Sequence, residues 1–151
     1  MEEMKPVVFK LENENYGVDI NLVQGIEKEQ QIVRVPNTVN YIKGIMNLRG
    51  EIIPVYDLRA KFGLPQASEE DRQYIIVKVR DSKIALEVDG VKEIHDVYDE
   101  DIFNVPPIII NENTRYLKKV IKSENTLIVL IDVDYLLSEE EMEKIDEMIK
   151  Q

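Results

Sequence analysis

Cysteine and tryptophan are absent from these 151 residues and histidine occurs once, at His95. Without cysteine there is no disulfide and no thiolate nucleophile, so a cytoplasmic location is the expected default. His95 has no other residue at ligand spacing and reads as an ordinary surface strand or loop position, not a metal ligand. Long apolar runs are also missing: the longest are four or five residues, too short to cross a bilayer. The start, Met-Glu-Glu-Met-Lys, lacks the basic and apolar regions of a secretory signal. Basic residues are in the minority, 19 against 30 acidic, for a net charge of −11. They are scattered along the chain, which opposes binding to a phosphate backbone. Gly44 and Gly50 are too few for a phosphate-binding loop, and no Lys-Ser or Lys-Thr follows them.

What the chain has is a plan used twice. Ile52-Ile53-Pro54-Val55-Tyr56-Asp57-Leu58 is answered by Leu127-Ile128-Val129-Leu130-Ile131-Asp132-Val133 at a shift of 75. Phe9-Lys10-Leu11 through Tyr16-Gly17-Val18-Asp19-Ile20 is answered by Val77-Lys78-Val79 through Ile84-Ala85-Leu86-Glu87-Val88 at a shift of 68. The difference places a seven-residue insertion in the second unit, within Asp99 to Thr114. The polar stretch from Pro65 to Arg72 is the linker. Two subdomains follow, residues 1–68 and residues 69–151, with strands at either end able to cross between them.

Each unit opens with hairpin grammar, Val7 to Leu11 and Tyr16 to Ile20 in the first, Tyr74 to Val79 and Ile84 to Val88 in the second. Ile32-Val33-Arg34-Val35 runs into Pro36-Asn37, which should stop a strand. Tyr41 to Met46 and Glu51 to Val55 flank the turn at Asn47 to Gly50. Lys118 to Lys122 and Thr126 to Ile131 form the last hairpin. Ile108-Ile109-Ile110 reads either as a buried strand or as cover for a barrel end or an interface. Many short strands with no room for βαβ crossovers predict a mostly β protein of two small five-stranded barrels packed together, because closure removes free edges. Short helices follow the strands, and one longer helix closes the chain. Ser138 and Glu141 form its capping box, Leu137 and Met142 its hydrophobic staple, and Met142, Ile145, Met148 and Ile149 its apolar stripe.

Catalysis has little support. Asp57 and Asp132 suggest a carboxylate pair, yet they are equivalent in the two units, each between an apolar run and a short helix, where N-capping explains both. A binding role fits better. Arg49, between Leu48 and Gly50, can offer several directed hydrogen bonds beside apolar residues that exclude water; the competing reading is an ion pair that closes the two units together. Ile20 and Val23 are either apolar surface beside the first hairpin or core.

The run Tyr41-Ile42-Lys43-Gly44-Ile45-Met46-Asn47-Leu48-Arg49-Gly50-Glu51-Ile52-Ile53-Pro54-Val55-Tyr56-Asp57-Leu58-Arg59, with Tyr16 to Ile20 and Val88-Asp89-Gly90-Val91, closely resembles the CheW family of bacterial chemotaxis coupling proteins. The resemblance extends from Val7 to about Met148. It implies two SH3-like barrels, no enzymatic activity and no cofactor. It also implies an adaptor that couples the cytoplasmic signalling tips of methyl-accepting chemoreceptors to the regulatory domain of the chemotaxis histidine kinase. With no phosphotransfer, dimerisation, ATP-binding or receiver segment in the sequence, a free-standing adaptor is expected, cytoplasmic and recruited to receptor arrays without inserting in the membrane. By resemblance, Ile20, Val23, Asn47, Leu48, Arg49 and Gly50 are receptor-binding, and Phe103 and Pro106 belong to a kinase-binding surface. Gly25 stands where some relatives carry an acidic residue near the groove. The alternative from another class is a small-molecule-binding β-domain that holds an anionic ligand in the inter-barrel cleft.

Overall fold

The computed structural model describes residues 2–28, 31–35, 41–65, 72–94 and 96–149; His95 and the Pro36-Asn37 strand stop lie outside them, as does most of the expected linker. After a short strand β1 (Glu2–Met4), the first repeat runs β2 (Pro6–Leu11), β3 (Glu14–Asp19), one turn of 3-10 helix (Ile20–Leu22), β4 (Val23–Glu27), β5 (Ile32–Arg34), β6 (Ile42–Leu48), β7 (Glu51–Asp57) and α1 (Leu58–Lys61). The second runs β8 (Gln73–Val79), β9 (Ser82–Val88), β10 (Gly90–Ile94), the extra strand β11 (Val97–Tyr98), β12 (Ile102–Phe103), β13 (Leu117–Ser123), β14 (Thr126–Ile131) and α2 (Val133–Leu136), and α3 (Glu139–Ile149) follows. The backbone repeats in detail. Glu12 and Arg80 take left-handed conformations in the first hairpin of each unit, and Arg49 and Glu124 do so in the last.

Two six-stranded sheets result, in the orders β10-β2-β3-β14-β13-β12 and β4-β8-β9-β7-β6-β5, with β1 paired to β11 in a separate ribbon. The first hairpin of each repeat sits in the sheet built by the later strands of the other repeat. Those joins are parallel: Tyr16 of β3 lies opposite Val129 of β14, and Leu86 of β9 opposite Tyr56 of β7.

The closed five-stranded barrels expected from the strand pattern do not form. Each sheet has six strands and is open, ending at β10 and β12 in one and at β4 and β5 in the other among the described residues. Closure was expected because free edges are costly, but here the edges are blunted by other means. β5 and β12 are only three and two residues long, and β4 and β10 pair with their neighbours through register shifts. Short edges and bulges both protect a strand that has no further partner.

The main core lies between the sheets. Val7, Phe9, Leu11 and Val18 from one meet Tyr56, Ile75, Val77, Ile84 and Leu86 from the other, joined by Leu136, Leu137 and Met142. Each sheet buries a smaller cluster on its second face, Met46, Ile53, Val55, Tyr74, Ile76 and Ala85 in one and Val8, Ile121, Ile128 and Leu130 in the other, where Val97 of the β1–β11 ribbon joins them. This explains why the strands read as nearly continuous apolar runs. Met142 packs as the staple predicts; the side chains of Ile145, Met148 and Ile149 lie outside the described set. The capping box is formed, with Ser138 N donating to Glu141 Oε1 at 2.9 Å and Glu141 N to Ser138 Oγ at 3.1 Å.

Candidate functional site

Asn47 to Gly50 closes the β6–β7 hairpin. Arg49 (φ 51°) and Gly50 (φ 87°) are both left-handed, as a primed two-residue hairpin turn requires. Asn47 Oδ1 accepts from Gly50 N at 2.9 Å and makes the turn rigid. Left-handed Arg49 is not by itself a sign of function, because the three equivalent hairpin turns share the feature. The Arg49 side chain is 74% accessible and meets Glu27 at 3.8 Å. Both residues belong to the second sheet, so this pair does not close the two units together. The guanidinium stands on a fixed turn and is largely hydrated.

Beside it, Gln24, Gly25, Leu48, Arg49, Glu51, Ile53, Ile76 and Lys83 line a shallow pocket of about 160 Å³. Lys83 bonds Glu51 at 3.1 Å, so each cation of the pocket has a carboxylate beside it. A volume below the ~300–1,000 Å³ of typical ligand sites, with its cations already offset, does not suit a captured anionic metabolite.

The other residues expected at the receptor site are distributed over two faces. Ile20 and Val23 are half-buried and pack against the core between the sheets. Leu48 packs against the cluster on the opposite face of the second sheet. The turn and this apolar pair are therefore separate features: Val23 opens the end strand β4, with Ile20 just before it, whereas the turn joins the strands β6 and β7 nearer the other end of the sheet. Phe103 is exposed, with the Lys122 ammonium 4.7 Å from its ring centre, and Pro106 is exposed beside it. The triple isoleucine is not a buried strand. Pro107–Ile109 forms a single 3-10 turn and leaves Ile108 92% accessible. Thr114 Oγ1 donates to Ile109 O at 2.6 Å and fixes this turn.

Sequence reasoning missed a larger feature. In the first repeat, Val33 lies opposite Ile45 and Ile45 opposite Pro54, with Ile52 two residues away on the same face. In the second, Phe103 lies opposite Val120 and Val120 opposite Val129, with Leu127 two residues away. Val33, Ile52, Phe103 and Leu127 are all exposed. The molecule thus carries two equivalent apolar patches, one on each sheet. The duplication pairs Ile52 with Leu127 in the sequence, but both faces of these strands are apolar, so periodicity could not say which was open.

Asp57 and Asp132 are helix caps. Asp57 Oδ1 accepts from Ala60 N at 3.1 Å and Asp132 Oδ1 from Asp134 N at 3.0 Å. Neither carboxylate is arranged for acid or base work on a substrate. Burial pushes the Tyr56 phenol far above its ordinary value, with Glu141, Tyr41 and Tyr116 adding to the shift; Tyr16 and Tyr116 are raised by burial too. These phenols stay protonated and serve the core.

A family model described as "CheW-like domain" matches residues 5–141. The chain belongs to the CheW family. It is 36% identical to the chemotaxis protein CheW of Klebsiella aerogenes over 145 residues, which cover 95% of this chain and 87% of that one. Against CheW of Bacillus subtilis the identity is 32% over 137 residues, 90% and 88% of the two chains. The crystal structure of the scaffolding protein TtCheW from Thermoanaerobacter tengcongensis superposes with a TM-score of 0.83 at 34% identity, covering 93% of this chain and 96% of that one.

Proposed function

We propose that this chain bridges two kinds of partner through physically separate surfaces. As a CheW-family protein it is a non-enzymatic chemotaxis adaptor linking chemoreceptors to the histidine kinase in signalling arrays. The finer assignment is ours: the Asn47 to Gly50 turn, with Ile20 and Val23, meets a receptor signalling tip, while Phe103 and Pro106 meet the regulatory domain of the kinase. The observation that carries it is the exposure of Arg49 on a fixed turn of one sheet and of Phe103 and Pro106 at the edge of the other, because a connector needs two docking faces and a simple binder needs one. Exposed aromatic and aliphatic anchors held on rigid strands and turns cost little entropy on docking.

The test is a pair of pull-downs with full-length variants. Arg49→Ala should weaken capture by a receptor-tip fragment and leave kinase-domain capture intact; Phe103→Ala should do the reverse. Loss of neither interaction, or equal loss of both from either change, would refute the assignment.

A further inference from the structure

We propose that Arg59 is a positioning residue that clamps the two sheets at a set angle and thereby places the two docking faces for simultaneous engagement. It lies at the start of α1, directly after β7 of the second sheet, and its side chain is only 4% accessible. One terminal nitrogen pairs with Glu12 in the β2–β3 turn of the first sheet. The other bonds Asp89 Oδ2 at 3.1 Å. Asp89 sits between β9 and β10, where the chain leaves the second sheet for the first. The same Asp89 oxygen accepts from Glu12 N at 2.7 Å, and Asp89 N donates to Lys10 O at 3.0 Å. Two segments, a turn of the first sheet and the crossing between the sheets, therefore converge on one guanidinium carried by a third.

Apart from one hydrogen bond from Val91 N of β10 to Gln73 Oε1 of β8 at 2.8 Å, the interface these bonds cross is built mainly by Val, Leu, Ile, Phe and Tyr. Apolar burial is strong but non-directional, so it resists separation of two sheets far better than it resists their rotation or sliding. Charge-assisted hydrogen bonds to a planar guanidinium are directional and supply what the apolar contacts lack. The ion pairs of Lys43 and Arg72 with Glu87, Lys83 with Glu51 and Arg49 with Glu27 stay inside the second sheet and cannot do this. The second repeat does not duplicate the clamp. There the equivalent turn residue is Arg80, which reaches the exposed Glu139 of α3.

The consequence for assembly rests on the bridging function above, whereas the clamp itself does not. Because the chain has no cysteine, Lys78→Cys on β8 and Lys118→Cys on β13, both exposed, give a unique spin-label pair spanning the sheets. In the Arg59→Met background the distance distribution should broaden. In a core variant of comparable thermal stability, Ile75→Val, it should stay narrow. Arg59→Met should keep binary affinity for a receptor-tip fragment and for the kinase regulatory domain within about threefold, while co-sedimenting three-component assembly falls at least ~10-fold, as expected when geometry forbids simultaneous engagement. Should Arg59→Met fail to fold, Glu12→Ala removes one arm of the clamp from a surface turn and carries the same measurements. An unchanged distance distribution, or full assembly despite a broadened one, overturns the proposal. If the unmodified protein forms no three-component assembly, the bridging function fails instead, and the distance measurement still decides whether Arg59 is a clamp.

Discussion

At the scale of single residues, buried charge and exposed charge do opposite jobs in this protein. Glu87 is 1% accessible and receives Lys43 Nζ at 3.0 Å, Arg72, and the Tyr74 hydroxyl at 3.1 Å. Removing it takes away the carboxylate that two buried cations share, so Glu87→Ala should cost about 3–5 kcal/mol in urea unfolding. Glu87→Gln should cost less, because the amide oxygen still accepts hydrogen bonds. Arg49 is the contrasting case. Its loose, hydrated ion pair contributes little, and Arg49→Ala should move unfolding stability by under ~1 kcal/mol. The sequence singled out Arg49 through its motif, while Glu87 reads there as one more acid in a strand. Its importance comes from Lys43, Arg72 and Tyr74 arriving from other segments.

At the scale of elements, β5 is held by an absence. A Cβ on Gly44 would lie 2.2 Å from the Val33 carbonyl oxygen, so only glycine lets β6 approach β5 this closely. Gly44→Ala should push β5 off the sheet edge at a cost of ~1–3 kcal/mol, seen as faster amide exchange at Val33 and Arg34 with β8 and β9 still protected. The helix that closes the chain depends on pH in a known direction. The Arg80 hydrogen bond, then its charge, hold the Glu139 carboxyl below its ordinary value. A lowered carboxylate stabilises above its unfolded value and loses that contribution as pH falls through the folded one. The first turn of α3 should therefore fray on acidification, and Arg80→Ala should remove that acid-side step; circular dichroism against pH checks it. The strands, caps and staple were legible because they depend on neighbours in the chain. The exposed turn at Pro107–Ile109 was not, because an apolar triplet looks the same whether a sheet or a partner covers it.

At the scale of the whole molecule, raised phenols set the alkaline limit. Tyr56, Tyr16 and Tyr116 are all shifted upward, chiefly by burial. A raised group contributes its full stabilisation below its unfolded value, near 10 for tyrosine, and loses it as pH rises beyond that. Thermal stability should fall above pH ~10, with a shallower slope in Tyr56→Phe. The net charge of −11 leads to a second expectation: fluorescence anisotropy should detect no tight, salt-sensitive DNA binding near physiological ionic strength.

The amino-acid sequence alone determined the doubled plan, the hairpins, the capped helices and the motif turn, since each follows from residues close together in the chain or at a constant repeat shift. Only the tertiary structure decided that the first hairpins trade places between the sheets, that the sheets stay open, and which apolar strand faces remain exposed. The physical reason is common to all three. Strand alternation reports that a residue is apolar, but burial depends on which other strand arrives opposite it. In a duplicated chain, either copy of a hairpin presents nearly the same edge. Arg59, Asp89 and Glu12 show the same limit at atomic scale: three charges far apart in sequence become one junction because the exchange brings their segments together.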